Sequence, residues 1–136
     1  MKVVIDTNVL VSGLLSPYGP PGEIVRLISS GALSLCYDAR LFSEYSEVLK
    51  RDKFPFRVEE VDALLEQVQT CGCVVASRPL ARRLADPHDE AFLEVAVAGK
   101  AEMLVTGNLK HYPSGFRQVK IVSPAAFLEY YRQNNR

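Results

Sequence analysis

The order of apolar segments along these 136 residues predicts an α/β domain: a central, mainly parallel sheet of four to five strands between two layers of helices. Three observations carry that expectation. Short apolar runs alternate with longer amphipathic ones along the whole chain. The first run, Lys2 to Ile5, is apolar on successive residues, as a strand covered on both faces should be. No repeat, low-complexity tract or Pro/Gly/Ser linker interrupts the alternation, so residues 1–136 read as one domain.

Taken in order, Lys2 to Ile5 is the first strand. Leu33 to Tyr37, Val74 to Ala76, Met103 to Thr106 and Val119 to Val122 are the further strand candidates. Pro20-Pro21 opens a helix that Gly31 closes, proline fitting the first helical turn and glycine the exit. A second helix spans Ala39 to Lys53 and a third Val58 to Thr70. In the third, Val61, Leu64, Leu65 and Val68 share one face. That face is a candidate contact surface for a partner, although packing within the domain is the better reading. Asp86-Pro87 starts a helix that should stop at Gly99, with Asp86 as its cap. Ser123-Pro124 starts the last one, which runs into the polar tail Gln133-Asn134-Asn135-Arg136.

Bulk composition excludes several classes. Hydrophobic residues make up 48% and charged residues 24%, as in ordinary globular proteins, and 16 basic residues balance 16 acidic ones. That neutrality argues against tight nonspecific binding to duplexes, though clustered carboxylates can mask local basic patches. No signal-peptide pattern opens the chain and no apolar run approaches the length of a membrane span, so a cytoplasmic protein is expected. Cys36, Cys71 and Cys73 lack the spacing and the His partners of a metal site and read as free thiols.

Position separates the interesting acids from the common ones. Asp6 ends the first strand, and parallel sheets collect functional groups at the carboxyl ends of their strands. It also precedes the run Thr7-Asn8-Val9-Leu10, where a helix cap is the plain alternative. In the second helix, Leu41, Phe42, Tyr45, Val48 and Leu49 form the apolar face. At about 100° per residue, Glu47 points away from it, while Glu44 lies about 60° beyond Leu41, at its flank. A part-buried carboxylate is costly without compensation; an edge charge paired with an Arg is the alternative. In the helix after Asp86-Pro87, the inward side is Phe92, Leu93 and Ala96. Asp89 falls near its centre, and Glu90 and Glu94 lie about 120° or more away. Finally, Met103 to Thr106 runs into Gly107-Asn108, carrying Thr106 and Asn108 to the same edge as Asp6.

These segments in this order resemble the PIN-domain nucleases, and most of all the VapC-like toxin components of prokaryotic toxin–antitoxin pairs. The motifs are Val4-Ile5-Asp6-Thr7-Asn8-Val9-Leu10, Ser43-Glu44-Tyr45, Asp86-Pro87-His88-Asp89 through Ala96, and Leu104-Val105-Thr106-Gly107-Asn108. The resemblance implies a flavodoxin-like three-layer fold and a pocket that binds Mg²⁺ or Mn²⁺ and hydrolyses RNA phosphodiester bonds with a metal-activated water. It implies Asp6, Glu44 and Asp89 as the acidic residues and Thr7, Asn8, Asp86 and Thr106 as their supports. At the fourth acidic position this chain carries Asn108, which can offer a carbonyl oxygen but no charge, so one firmly held metal fits better than two. It further implies an antitoxin protein as partner and, by size, a homodimer.

The chemistry is independently sound. Hard divalent cations prefer oxygen ligands, and clustered carboxylates repel one another until a cation relieves them. Lys50-Arg51-Asp52-Lys53, Arg82-Arg83 and Lys110-His111 are candidate phosphate contacts or simply solvated charge. Two other enzyme classes fail. A haloacid-dehalogenase-type phosphatase needs a second acid where Asn8 stands, and a dinucleotide-binding enzyme needs a Gly-x-Gly-x-x-Gly that is absent. The rival from outside enzymology is a PIN-like module that binds RNA or a protein without cutting, and Asn108 is its motive.

Overall fold

The computed structural model of the protein describes residues 1–80, 84 and 86–134. Arg82-Arg83 and the Asn135-Arg136 end of the tail therefore lie outside the described residues. The elements run β1 (Lys2–Ile5), α1 (Thr7–Leu15), α2 (Pro20–Ser29), β2 (Ser34–Tyr37), α3 (Ala39–Leu49), α4 (Val58–Cys71), β3 (Cys73–Val74), α5 (Pro87–Ala98), β4 (Met103–Val105), β5 (Gly115–Phe116), β6 (Val119–Val122) and α6 (Pro124–Asn134).

The strands form one sheet in the order β3-β2-β1-β4-β6-β5. Every pair is parallel except β5 with β6. The sheet thus has six strands where four to five were expected. The extra one, β5, is a two-residue arm of a hairpin closed by Arg117 at φ 53°, too short to leave a periodic signal. Val3, Val4 and Ile5 are all completely buried, as their unbroken apolar run anticipates. Helix α5 lies against β1, β2 and β4. On the other side α2 packs against α4 and α6, with α4 reaching β2 and α6 reaching β4. This is the α/β/α arrangement expected.

Helix boundaries follow local chemistry. Asp38 caps α3 by accepting from the Leu41 amide at 3.1 Å, and Ser123 caps α6 by accepting from Ala126 at 3.1 Å. Helix α3 stops at Leu49, not at Lys53, because the amides of Lys50 and Arg51 close a tighter last turn and Arg51-Asp52-Lys53 turns away. The apolar face of α4 (Val61, Leu64, Leu65, Val68) is buried, so its role is packing within the domain. Cys36 is buried, Cys71 and Cys73 half-buried, and all three are free; burial pushes the Cys36 thiol up to about 11.

The α1–α2 hairpin is a tight joint. A Cβ on Gly22 would lie 2.1 Å from the Pro17 carbonyl oxygen, and one on Gly13 would lie 2.5 Å from that of Pro21. Backbone meets backbone there, so neither side can yield. Gly22→Ala is expected to lower stability by about 1–3 kcal/mol, read as a shift of the guanidinium unfolding midpoint. An unchanged midpoint would show that the hairpin is looser than this packing requires.

Candidate metal and nuclease site

The carboxyl ends of β1 and β4 lie side by side, where the chain's crossovers diverge to either flank of the sheet. Such a divergence opens a crevice at the strand ends. Asp6 stands there as the first residue after β1, and its amide donates to the Val105 carbonyl at 2.9 Å. Residue Thr106, the next after β4, donates its hydroxyl to Asp6 Oδ2 at 2.8 Å. Two neighbouring strands therefore deliver the acid and its hydrogen-bond donor together.

Asp6 occupies the N-cap position of α1, where the Asn8 amide favours its charge without forming a full side-chain cap bond, so capping accounts for its carboxylate only in part. Burial pushes its pKa up, and the nearby charges of Asp89 and Glu44 push the same way. The Thr106 hydroxyl and the Asn8 amide only partly oppose them.

Helix α5 brings Asp89. Asp86 caps the helix by accepting from the His88 amide at 2.9 Å, and Asp89 sits buried within the first turn. Tyr112 donates its hydroxyl to Asp89 Oδ1 at 3.4 Å, and His111 Nδ1 stands 3.3 Å from Oδ2. Burial and the Asp86 charge raise the Asp89 pKa, against the pull of His111, Tyr112 and His88. Burial beside Asp6 and Asp89 also holds the Tyr112 phenol far above its ordinary value, which keeps it a donor.

Glu44 comes from α3. It accepts from the Thr7 hydroxyl through Oε2 and meets His88 Nδ1 at 2.9 Å through Oε1. Behind it the fully buried Tyr45 donates its hydroxyl to the Ile5 carbonyl at 2.5 Å, tying α3 to the last residue of β1. Helical phase separates Glu44 from Glu47 as expected, since Glu47 is exposed and engaged by Arg51 at 2.8 Å.

The remaining expected residues divide. Asn8 Oδ1 is buried and accepts no hydrogen bond. Asn108 is exposed; its backbone amide donates to Thr106 Oγ1 at 3.0 Å, and no bond ties its side chain to the acids. Among the basic candidates, Lys50 pairs with Asp62 at 2.7 Å and Lys53 lies over the Phe54 ring. His111 faces Asp89, as described, and Lys110 is exposed.

Two glutamates depart from the helical phase. Glu90 and Glu94 were placed away from the inward side of α5, yet both are buried. Glu90 accepts from the Leu84 amide at 2.7 Å, and Glu94 from Arg40 at 2.8 Å. Arg40 also pairs with Asp38 at 2.9 Å and donates to Ser77 at 2.6 Å, pinning the segment after β3 onto α3 and α5. Sequence reasoning also passed over Tyr45, Tyr112 and His88 as site residues. The one available signal was that the chain has two histidines, one of them beside Asp89 in the capping motif.

The match of a family sequence model described as "PIN domain" covers residues 2–110. The chain belongs to the PIN domain family. PIN domains are generally nucleases, typically use divalent metals and act on RNA. This PIN domain is also similar to an uncharacterized protein of Methanocaldococcus jannaschii, 25% identical over 141 residues that span 95% of this chain and 90% of that protein. Among the described residues, no helix is long and apolar enough to cross a membrane.

Whether these residues suit a metal turns on their chemistry. Among the described residues no three His, Cys, Asp or Glu side chains converge tightly enough to hold an ion as they stand. Each acid is instead turned to a hydrogen-bond partner of its own. The donor set still fits a hard divalent cation: carboxylate oxygens, an orphaned buried carbonyl oxygen on Asn8, two residues after Asp6, and two acids that burial makes reluctant to ionise.

That reluctance has a sign. Asp6 and Asp89 have folded-state pKa values above 3.8, so their contribution to stability is full below 3.8 and is lost as pH rises through the folded values. Asp6→Asn and Asp89→Asn are each expected to raise the Tm in EDTA at pH 7, with the gain vanishing in acid. A lower Tm at pH 7 for both would contradict the repulsion described.

Proposed function

We propose that this PIN domain is a metal-dependent ribonuclease, acting as the toxin of a toxin–antitoxin pair in the cytoplasm. The observation that carries the reading is the pair Asp6 and Asp89, at adjoining element ends, both made reluctant to ionise by burial, with the charges of Asp89 and Glu44 adding to the effect on Asp6. A fold tolerates such an arrangement at a functional site more readily than elsewhere.

In this reading Asp6, Glu44 and Asp89 hold Mg²⁺ or Mn²⁺, with Asn108 as a neutral fourth donor and Asp86 able to lend charge from the helix cap. When bound, the cation supplies a water of lowered pKa and offsets charge building on the scissile phosphate. Thr106 and Thr7 orient the carboxylates of Asp6 and Glu44. Tyr112 holds Asp89 in place as a permanent donor. RNA is the substrate; an antitoxin protein and a second copy of the chain are the proposed partners.

A second reading has its own observation. Asn108 is exposed and no three acids converge among the described residues, which suits a module that binds RNA or a protein without cleaving it. Cleavage of single-stranded RNA in Mg²⁺ or Mn²⁺ is expected, stopped by EDTA and abolished by Asp6→Asn or Asp89→Asn. Thr106→Val should cost about 10- to 100-fold in activity or metal affinity. RNA binding that survives EDTA, with no cleavage at any metal concentration, would sink the nuclease reading.

A further inference from the structure

A groove of about 530 Å³ runs between α3 and α5 and shares Glu44 with the acidic site. Its volume falls in the range of small-ligand sites. Pro87 and Ala91 form its apolar side. His88 stands at the mouth, 78% exposed, with its ring anchored by the 2.9 Å contact to Glu44. Ser43 supplies a hydroxyl from α3, and Glu47 a carboxylate whose remaining lone pairs can accept beside its pairing with Arg51.

Charge decides what can lie there. Glu44 and Glu47 both face the groove, and its arginine, Arg40, is already engaged by Asp38 and Glu94. A phosphate entering would meet two carboxylates, Glu47 already paired with Arg51 and Glu44 with His88, and no uncommitted cation. A flat, uncharged group with N–H donors on its edge meets the opposite situation, with a ring to stack on and acceptors to bond. Nucleobases have this character, and carboxylates accept from their amino groups.

We propose that the α3–α5 groove is a subsite for one unpaired nucleobase, stacked on His88 with its N–H edge toward Ser43 and Glu47. The inference rests on the ribonuclease reading, since the groove opens beside the acids that would hold the neighbouring phosphodiester. A base stacked and paired inside a duplex cannot reach it, so the substrate is single-stranded or looped-out RNA. His88 is then the anchor of Glu44 while no ion is held, and the platform of the base.

The experiment uses short RNAs carrying 2-aminopurine at successive positions, whose fluorescence falls when the base stacks. The protein in EDTA, and its Asp89→Asn variant in Mg²⁺, are titrated into each RNA as single strand and as duplex. Quenching at one position of the single strand and none in the duplex is expected. Ser43→Trp, which fills the groove from an exposed position, should remove it. His88→Ala should weaken binding roughly 5- to 50-fold, and His88→Phe should restore most of the loss by keeping a flat ring.

Equal quenching at every position, or quenching untouched by Ser43→Trp in a protein of unchanged Tm, overturns the proposal. So does a dimer in solution that Ser43→Trp converts to monomer, which would make the groove an interface between copies. The two readings fail separately. Position-specific quenching without cleavage keeps the subsite and removes the nuclease; cleavage with unchanged kcat/KM in Ser43→Trp removes the subsite and keeps the nuclease.

Discussion

The hydrogen bond from Thr106 to Asp6 joins the ends of the two central strands, and much of the molecule is arranged around making it possible. Strand β1 has no side chain in contact with water from Val3 to Ile5, so the acid that follows emerges from a dry interior. A carboxylate there is expensive unless donors reach it. Thr106 arrives because β4 pairs with β1 in a register that sets Ile5 against Val105. Tyr45 fixes the same strand end from the other direction through the Ile5 carbonyl. The position of Asp6 is therefore decided by the sheet and α3 together, before any ligand is considered.

What was legible in the sequence was whatever depends on neighbours in the chain. Consecutive apolar residues announce a strand covered on both faces, so Asp6 and Thr106 could be read as two polar groups at the carboxyl edge of a sheet. Glu44 could be told from Glu47 because α3 has one dry face and one wet face. The same helical phase failed on α5 because that helix is covered almost all round over Glu90–Ala96, only Ala91 being half-buried: Glu90 and Glu94 are buried along with Phe92 and Leu93. Their partners, the Leu84 amide and the Arg40 guanidinium, come from outside the helix, the second from 54 residues away. Periodicity carries no information about such pairings, and helical phase presumes that one side meets solvent.

Arg40 shows how much such pairings can organise. It is half-exposed, yet it holds the buried Glu94, the capping Asp38 and Ser77 at once. Burial alone would raise the Asp38 pKa. The Leu41 amide, Arg40 and Ser77 more than reverse this and hold it below its ordinary value. The charge that stabilises the start of α3 is thus secured by the second residue of the same helix. Because α3 also carries Glu44, the orientation of a site residue depends on contacts remote from the site.

The three acids differ in how firmly their present partners hold them, and that difference bears on how an ion could be taken up. The partner of Asp6 is Thr106, wholly buried at a strand end, and it has nowhere else to turn. The imidazole partners of Glu44 and Asp89 are His88 and His111, with side chains 78% and 53% exposed, which can shift off these oxygens at little cost. Under the proposed function, Asp6 is the fixed ligand. Glu44 and Asp89 complete the set by releasing their histidines, so the carboxylates need not converge beforehand. The histidines then compete with the ion for the same oxygens, and affinity is set by the strength of those two contacts as well as by the number of acids. A neutral Asn108 weakens the pull on the ion, while exposed, easily displaced histidines weaken the resistance to it.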